Sequence, residues 1–279
     1  MKVVTTRISL HRQLQPYRDQ GLRIAFVPTM GALHRGHIAL VTEAKSLADV
    51  VVCSIFVNPT QFNDPSDLEK YPRPIENDMA MLKKAHCDVL FHPGVDEMYV
   101  PGEQWHINLG QLDSVLEGLH RPGHFQGVTQ VVKKLFDAVQ PDVACFGQKD
   151  FQQYKVIEYM VRQLKLPVSL KLCPTVREPD GLAMSSRNVR LSAQGRQQAL
   201  ALYRSLLQTK ADSAHTDLHT VRQNAIDLLK SSPGVRLEYF TVYNADTFTE
   251  ADTAEHSSTL VALVAAWVDG VRLIDNMLL

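Results

Sequence analysis

A chain of 279 residues with 29 Lys and Arg against 30 Asp and Glu carries a formal charge of -1, so no overall basic field exists to hold nucleic acid or an anionic membrane. The length supports a full core and points to two domains on the prior of ~150 residues per domain. No stretch approaches the ~20 apolar residues of a membrane helix. The start, MKVVTTRISLHRQ, has no long apolar run, and Cys53, Cys87, Cys145 and Cys173 form no CxxC pair, which predicts free thiols in a reduced, cytoplasmic compartment.

In chain order, Arg23 to Val27 (RIAFV) reads as a strand, and Ile38, Leu40, Val41, Ala44 and Leu47 recur at the spacing of one helix face. Ala48 to Val57 (ADVVVCSIFV) then reads as a strand buried on both faces. The three form a βαβ unit. Its first turn, within VPTMGALHRGHIALV, sits at the carboxyl end of a strand, where open parallel sheets bind ligands and the next helix offers unpaired N–H groups. Gly31 and Gly36 permit close backbone approach, and His34 and His37, three apart, can face the same oxygens, so the turn suits an anion. A zinc site would require a third ligand that the motif does not supply. For HxGH alone, a plain tight turn at a helix start remains open.

Leu68 onward runs from a proline-broken loop through a helix to a strand at Cys87 to Phe91. GVTQVVKKLFDAVQPDVACFGQKDFQQYKVIEYMVRQLKL reads as helix, strand Val143 to Phe146, and helix. This alternation predicts a doubly wound, parallel-sheet α/β domain. After a loop-like stretch at 173–188 the pattern changes. Helices within Ser192 to Lys210 and Asp217 to Lys230 precede strands at Val235 to Tyr243, Ser258 to Val268 and Val271 to Ile274, the last two joined by Asp269-Gly270 as a type I′ hairpin. A smaller α+β domain follows, giving domains at 1–176 and 177–279.

Further polar stretches fall at strand ends. FVNPTQF carries Asn58 and Gln61, and FGQKDFQQ carries Gly147, Lys149, Asp150 and Gln153. Lys149 can neutralise a phosphate, and Asp150 can accept hydrogen bonds from ribose hydroxyls, although alone they also read as a solvated pair at a helix start. AMSSRN offers Ser185, Ser186 and Arg187 to a polyphosphate, or forms a Ser-rich hinge. No Ser-His-Asp order, P-loop or cysteine motif accompanies them. The set favours catalysis by positioning and charge stabilisation at phosphorus over covalent attack by the protein.

Pro28 to His37 (PTMGALHRGH), Ile55 to Phe62 (IFVNPTQF), Tyr71 to Arg73 (YPR), Arg121 to Val128 (RPGHFQGV), Phe146 to Gln153 (FGQKDFQQ) and Asp180 to Asn188 (DGLAMSSRN), in this order, closely resemble the pantothenate synthetase family. The resemblance extends to AAWVDGVRLIDN near the C-terminus and so spans nearly the whole chain. It implies a Rossmann-like nucleotidyltransferase fold with a HIGH-type motif, the MSSR loop corresponding to the KMSKS-type loop of class I aminoacyl-tRNA synthetases. The implied reaction is ATP-dependent condensation of (R)-pantoate with β-alanine through a pantoyl-adenylate, releasing AMP and pyrophosphate. Mg²⁺ on the polyphosphate and a homodimer are implied with it.

By the same resemblance, His34, His37 and Lys149 are catalytic, with both histidines on the phosphates, His37 as proton donor and Lys149 on the α-phosphate. The implied nucleotide site comprises Met30, Gly31, Ala32, Leu33, His34, Arg35, Gly36 and His37, then Gly147, Gln148, Lys149 and Asp150, then Val176, Met184, Ser185, Ser186 and Arg187. Asp150 is expected on the ribose, and the Ser185 to Arg187 loop over the leaving pyrophosphate. Gln61 and Gln153 are the implied pantoate ligands, with Asn58 beside them. The amides suit this task, because they orient a nucleophilic carboxylate without drawing its charge into a strong ion pair. No metal ligand is assigned. Two positions depart from the family: Gln148 stands where glutamate is expected, and Thr60 where a larger apolar residue such as methionine is common. The competing readings are a cofactor adenylyltransferase and a nucleotide-sensing module; the paired glutamines disfavour the first, and the complete donor set disfavours the second.

Overall fold

The computed structural model describes residues 1–62, 68–251 and 259–279. The chain divides into two compact units, Met1–Gly147 with Gln152–Pro174, and Gln148–Phe151 with Thr175–Leu279.

The first unit is built on six strands, β1 (Lys2–Val4), β2 (Ile24–Thr29), β3 (Val50–Ile55), β4 (Val89–Phe91), β5 (Val143–Gly147) and β6 (Ser169–Cys173). They form one parallel sheet in the order β1-β4-β3-β2-β5-β6. Its helices are α1 (Arg7–Asp19), α2 (Arg35–Leu47), α3 (Ile75–Lys84), α4 (His124–Val139) and α5 (Phe151–Gln163), with single helical turns at Val95–Met98 and Glu117–His120.

Side-chain alternation explains why both faces of the sheet are covered. Phe26 of β2 and Val52 of β3 join Leu14 of α1, Phe136 of α4 and Met160 of α5 in one buried cluster. Val27 and Cys53, one residue on, join Val41 of α2 and Leu82 of α3 in another. The expected doubly wound domain is therefore present. Strands β1 and β6 were not among the predicted elements: β1 is three residues at the sheet edge, and β6 is only partly buried.

β2 lies between β3 and β5, so chain order reverses across it. It pairs with β3 as far as Thr29, but with β5 only at Ala25 and Phe26. Pro28 has no N–H to offer a neighbour, so its presence in a central strand fits the end of that ladder. The switch point thus opens at the carboxyl end of the sheet, where doubly wound folds bind ligands.

In the second unit, β7 (Val235–Asn244), β8 (Leu260–Val268) and β9 (Val271–Leu278) form an antiparallel sheet in sequence order. Leu202 and Leu206 of α6 (Ala193–Asp212) and Leu229 of α7 (Leu218–Ser231) pack with Val242, Val264 and Leu273 of the strands. Asp269 and Gly270 join β8 to β9 with φ of +52° and +72°, the two positive values that a type I′ turn requires. Ser258, expected to begin β8, lies outside the described residues. Among the described residues no helix is long and apolar enough to cross a membrane, and all four cysteines are buried and not in disulfides.

Candidate active site

After β2 the chain turns through Met30, Gly31, Ala32 and Leu33 into α2. Gly31 has φ +81°, and a Cβ there would come within 2.9 Å of the Ile55 side chain and 3.0 Å of an Asp78 carboxylate oxygen. Position 31 accordingly excludes other residues on both conformation and space. Ala32 follows at φ +49°, an uncommon value for a residue with a side chain.

What holds that bend is Asp78, on α3, a residue to which the sequence reading gave no role. Its two carboxylate oxygens accept the backbone N–H groups of Ala32 and Leu33, each at 2.8 Å. Asp78 is buried, and burial pushes its carboxyl above the usual range while the Leu33 and Ala32 amides and His92 pull it down. Thr29 completes the brace: its hydroxyl donates to the Ser54 carbonyl at 2.7 Å and accepts from Gly31 N–H at 3.1 Å. Only the tertiary fold brings Asp78 to this turn, so no local spacing could have found it.

His34 is the N-cap of α2, with Arg35 and Gly36 opening the helix. Its Nδ1 accepts from Gly36 N–H at 3.1 Å, and Nδ1 of His37 accepts from His34 N–H at 3.2 Å. The two rings lie 4.1 Å apart at 39°. Each Nδ1 accepts a backbone proton, so each neutral imidazole must carry its own proton on Nε2. Both histidines therefore secure the start of α2 through Nδ1 and keep their ring proton on Nε2.

A second group forms beyond β3, where Pro59–Gln61 makes a short 3-10 turn. Asn58 is buried, and its amide is engaged within the protein: Nδ2 donates to the Gly127 carbonyl and to Gln61 Oε1, both at 3.1 Å, and Oδ1 accepts from Tyr99 O–H at 2.6 Å. Gln61 is also buried, and its Nε2 lies 2.9 Å from Met30 Sδ. The start of α4 grips the same turn. A Cβ on Gly127 would meet the Thr60 carbonyl oxygen at 2.4 Å, and His124 Nδ1 lies 2.8 Å from the Gln61 carbonyl. Since a carbonyl only accepts, His124 carries its proton on Nδ1, and its Nε2 takes a hydrogen bond from Arg121 at 3.0 Å. The RPGHFQGV segment thus serves as the clamp behind Gln61.

At the start of α5 two adjacent glutamines differ. Gln152 is buried, accepting from Glu117 N–H at 3.0 Å and donating to the Leu112 and Val115 carbonyls at 3.0 and 2.9 Å. Gln153 is half-buried, and its side-chain amide makes no hydrogen bond among the described residues. One glutamine is structural, while the other retains its full hydrogen-bonding capacity.

In the second unit, Asn276 of β9 fixes the short turn that carries Lys149. Its Nδ2 donates to the carbonyls of Gln148 and Lys149 at 2.8 and 2.9 Å, and its Oδ1 accepts from Gln148 Nε2 at 3.2 Å. That last bond requires a donor at position 148, which glutamine supplies and an ionised glutamate would not. Lys149 Nζ lies 3.7 Å from Asp150.

The stretch expected to be a loop at 173–188 is more ordered than its composition suggested. Met184 N–H donates to the Val176 carbonyl at 3.0 Å, Glu178 N–H to Leu182 at 2.8 Å, and Arg177 bridges to Ala183, so this part is a small hairpin. Its tip turns at Gly181 with φ +97°, where any Cβ would strike the Tyr203 ring at 2.1 Å. Arg177 binds both oxygens of buried Asp275 at 2.6 and 2.9 Å, tying the hairpin to β9. Ser185 then caps a 3-10 turn over Ser186–Arg190, accepting Arg187 N–H at 3.3 Å. Isolated hydrophobic alternation is absent from so short and polar a hairpin, so periodicity could not reveal it.

A doubly wound, Rossmann-like domain with a glycine-histidine turn at its switch point, followed by a smaller α+β part, places the chain among the Rossmann-like α/β proteins. Residues 2–278 match the model of the pantoate-beta-alanine ligase family. The pantothenate synthetase of Bacteroides thetaiotaomicron is 44% identical over 277 residues, covering 99% of this chain and 98% of its own. That of Thermotoga petrophila is 44% identical with complete coverage of both. The crystal structure of pantothenate synthetase from Thermus thermophilus superposes with a TM-score of 0.93 at 42% identity, covering 99% of each chain. The pantoate-beta-alanine ligase of Francisella tularensis, complexed with beta-gamma ATP and beta-alanine, gives 0.83 at 34% identity, covering all of this chain and 97% of that one. The chain belongs to the pantoate-beta-alanine ligase family, and is thereby a ligase.

Proposed function

We propose that this chain condenses (R)-pantoate with β-alanine at the expense of ATP, through a pantoyl-adenylate, to give pantothenate, AMP and pyrophosphate. The observation that carries the reading is the capping by His34 and His37, which fixes two imidazoles, each with its proton on Nε2, at the N-terminus of α2, a place that favours phosphate. The family assignment and the nucleotide and β-alanine in the Francisella tularensis relative support it.

In the first step a pantoate carboxylate oxygen attacks the α-phosphorus and pyrophosphate leaves. His34 and His37 bind phosphate oxygens, with His37 donating a proton as charge builds, while Lys149 neutralises the α-phosphate and Asp150 holds the ribose. Met30 to Leu33, Arg35, Gly36, Gly147, Gln148, Val176 and Met184 complete the nucleotide set. Ser185, Ser186 and Arg187 attend the leaving pyrophosphate. Gln61 and Gln153 hold pantoate through neutral amides, and the buried Asn58 serves by holding Gln61. In the second step the β-alanine amine attacks the acyl carbon, AMP departs with the bridging oxygen, and the amine proton is lost to solvent or base. These are largely effects of position and charge.

Among the described residues no group of three or more His, Cys, Asp or Glu is placed to hold a metal ion. Mg²⁺ would arrive with ATP and need no such group of protein ligands, since substrate phosphates and waters supply most of its usual oxygens. It would offset repulsion between carboxylate and polyphosphate. A cytoplasmic homodimer, with domains at 1–176 for ATP and pantoate and at 177–279 for the Ser185 to Arg187 loop, completes the proposal; sedimentation tests the dimer. The reaction itself is tested by incubating the protein with ATP, Mg²⁺ and pantoate, with and without β-alanine. Pantoate-dependent exchange of labelled pyrophosphate into ATP, then AMP and amide on adding β-alanine, supports the reading. AMP transfer onto a phosphate acceptor, or no turnover, opposes it.

A further inference from the structure

The hydrogen bonds around Asn58 have a direction that can be read from groups of fixed polarity. Thr60 N–H, which can only donate, lies 3.3 Å from Asn58 Oδ1, and the Gly127 carbonyl, which can only accept, lies 3.1 Å from Asn58 Nδ2. These two backbone groups decide which end of the Asn58 amide is oxygen. The other Nδ2 proton then goes to Gln61, whose facing atom must be Oε1, leaving the Gln61 NH₂ at the far end. Among the described residues its partner there is the thioether of Met30, a weak acceptor that a substrate oxygen can displace.

Tyr99 and Thr60 reinforce that order. The Tyr99 proton is committed to Asn58 Oδ1 at 2.6 Å, so the phenol oxygen remains an acceptor, 3.2 Å from the Thr60 hydroxyl. The same hydroxyl lies 3.1 Å from Asn58 Oδ1. Lys134 sits 5.4 Å over the Tyr99 ring and pairs with Glu103 at 2.7 Å, which pins the ring in place. A methionine at position 60, the residue expected by family resemblance, would offer no hydroxyl to this network.

We infer that Tyr99 and Thr60 are positioning residues that lock the Asn58–Gln61 amide pair with the Gln61 NH₂ foremost, so that the site delivers N–H donors to an oxygen of its acid substrate. The inference rests on the reading of Gln61 as a pantoate ligand.

The test compares Tyr99→Phe, Thr60→Val and Thr60→Ser with the parent and with Gln61→Ala, by KM for pantoate and for ATP in pyrophosphate exchange, with thermal melting to establish folding. Tyr99→Phe should raise the pantoate KM about tenfold, the scale of one lost hydrogen bond, with the ATP KM within twofold. Thr60→Val should move pantoate KM the same way by about threefold, and Thr60→Ser, which keeps the hydroxyl, should recover most of that. The Tyr99→Phe, Thr60→Val double variant should lose less than the product of the two, because both act on one amide. A folded Tyr99→Phe with parental pantoate KM, or with both KM values raised equally, overturns the inference. If Gln61→Ala itself leaves pantoate KM unmoved, the assignment of Gln61 fails instead. A melting loss confined to Tyr99→Phe transfers the decision to Thr60→Val and Thr60→Ser: unequal pantoate KM values uphold the network, and equal ones reject it.

Discussion

Nδ1 of His37 accepts the backbone N–H of His34 at 3.2 Å, so the second histidine of the HxGH turn secures the backbone of the first. Stability and chemistry therefore meet in one pair of side chains. His34→Ala and His37→Ala should each cost ~0.5 to 2 kcal/mol of stability through the lost cap, in addition to ~10²-fold or more in turnover. His34→Asn separates the two, since asparagine caps well and lacks the Nε2 donor. Its melting temperature should match the parent while turnover stays ~10²-fold down; recovery of turnover with the cap would assign His34 a purely structural role.

Asp78 tests the brace beneath that turn. In Asp78→Asn one of the two N–H groups of Ala32 and Leu33 loses its acceptor, which should cost ~1 to 3 kcal/mol by urea unfolding. The pH dependence follows from the raised carboxyl. The folded state keeps the Asp78 proton to higher pH than the unfolded chain, whose carboxyl titrates near ~3.9. The contribution of this ionisation to stability is full below that value and declines as pH rises through the raised one. The stability gap between parent and Asp78→Asn should accordingly narrow with rising pH across that window; a widening gap would mean that the folded pKa lies below the unfolded one.

The adjacent glutamines should part company. Gln152→Ala removes three hydrogen bonds from a buried site and should destabilise by ~2 to 4 kcal/mol. Gln153→Ala should melt close to the parent yet raise the pantoate KM at least tenfold, as a lost bond to a charged group does at ~1.5 to 3 kcal/mol. Calorimetry with steady-state kinetics checks both, and a stable Gln152→Ala with impaired pantoate use would reverse the assignments.

Asn276 is expected to act on chemistry through Lys149. Asn276→Ala withdraws both donors from the carbonyls of Gln148 and Lys149, so the turn carrying the lysine loses its fixed geometry. Pyrophosphate exchange should fall about tenfold, as a misplaced charge-stabilising group implies, with pantoate KM little changed. Conversion of preformed pantoyl-adenylate by the same variant should stay near parental, and an equal loss in both assays would reject the role.

The parts legible in the sequence were those with local signatures. The strands at Ile24–Thr29 and Val50–Ile55 are marked by the apolar stretches Arg23 to Val27 and Ala48 to Val57, and Asp269-Gly270 by residues that tolerate positive φ. His34, Gln61 and Lys149 stood out because strand ends in a doubly wound sheet collect ligand groups. Their supports were not legible. Asp78 reaches Ala32 across 46 positions and Asn276 reaches Gln148 across 128, distances that no periodicity encodes. Choosing between Gln152 and Gln153 likewise required knowing which face of α5 is buried.

The central claim is that pantoate is activated on its carboxylate oxygen by AMP before the amine attacks. Pantoate carrying ¹⁸O in its carboxylate, incubated with the protein, Mg²⁺, ATP and β-alanine, should deliver one labelled oxygen to AMP, because that oxygen bonds to the α-phosphorus and leaves with it. Mass spectrometry of the products decides the matter: labelled AMP with unlabelled pyrophosphate is the predicted result, and unlabelled AMP would contradict the adenylate route.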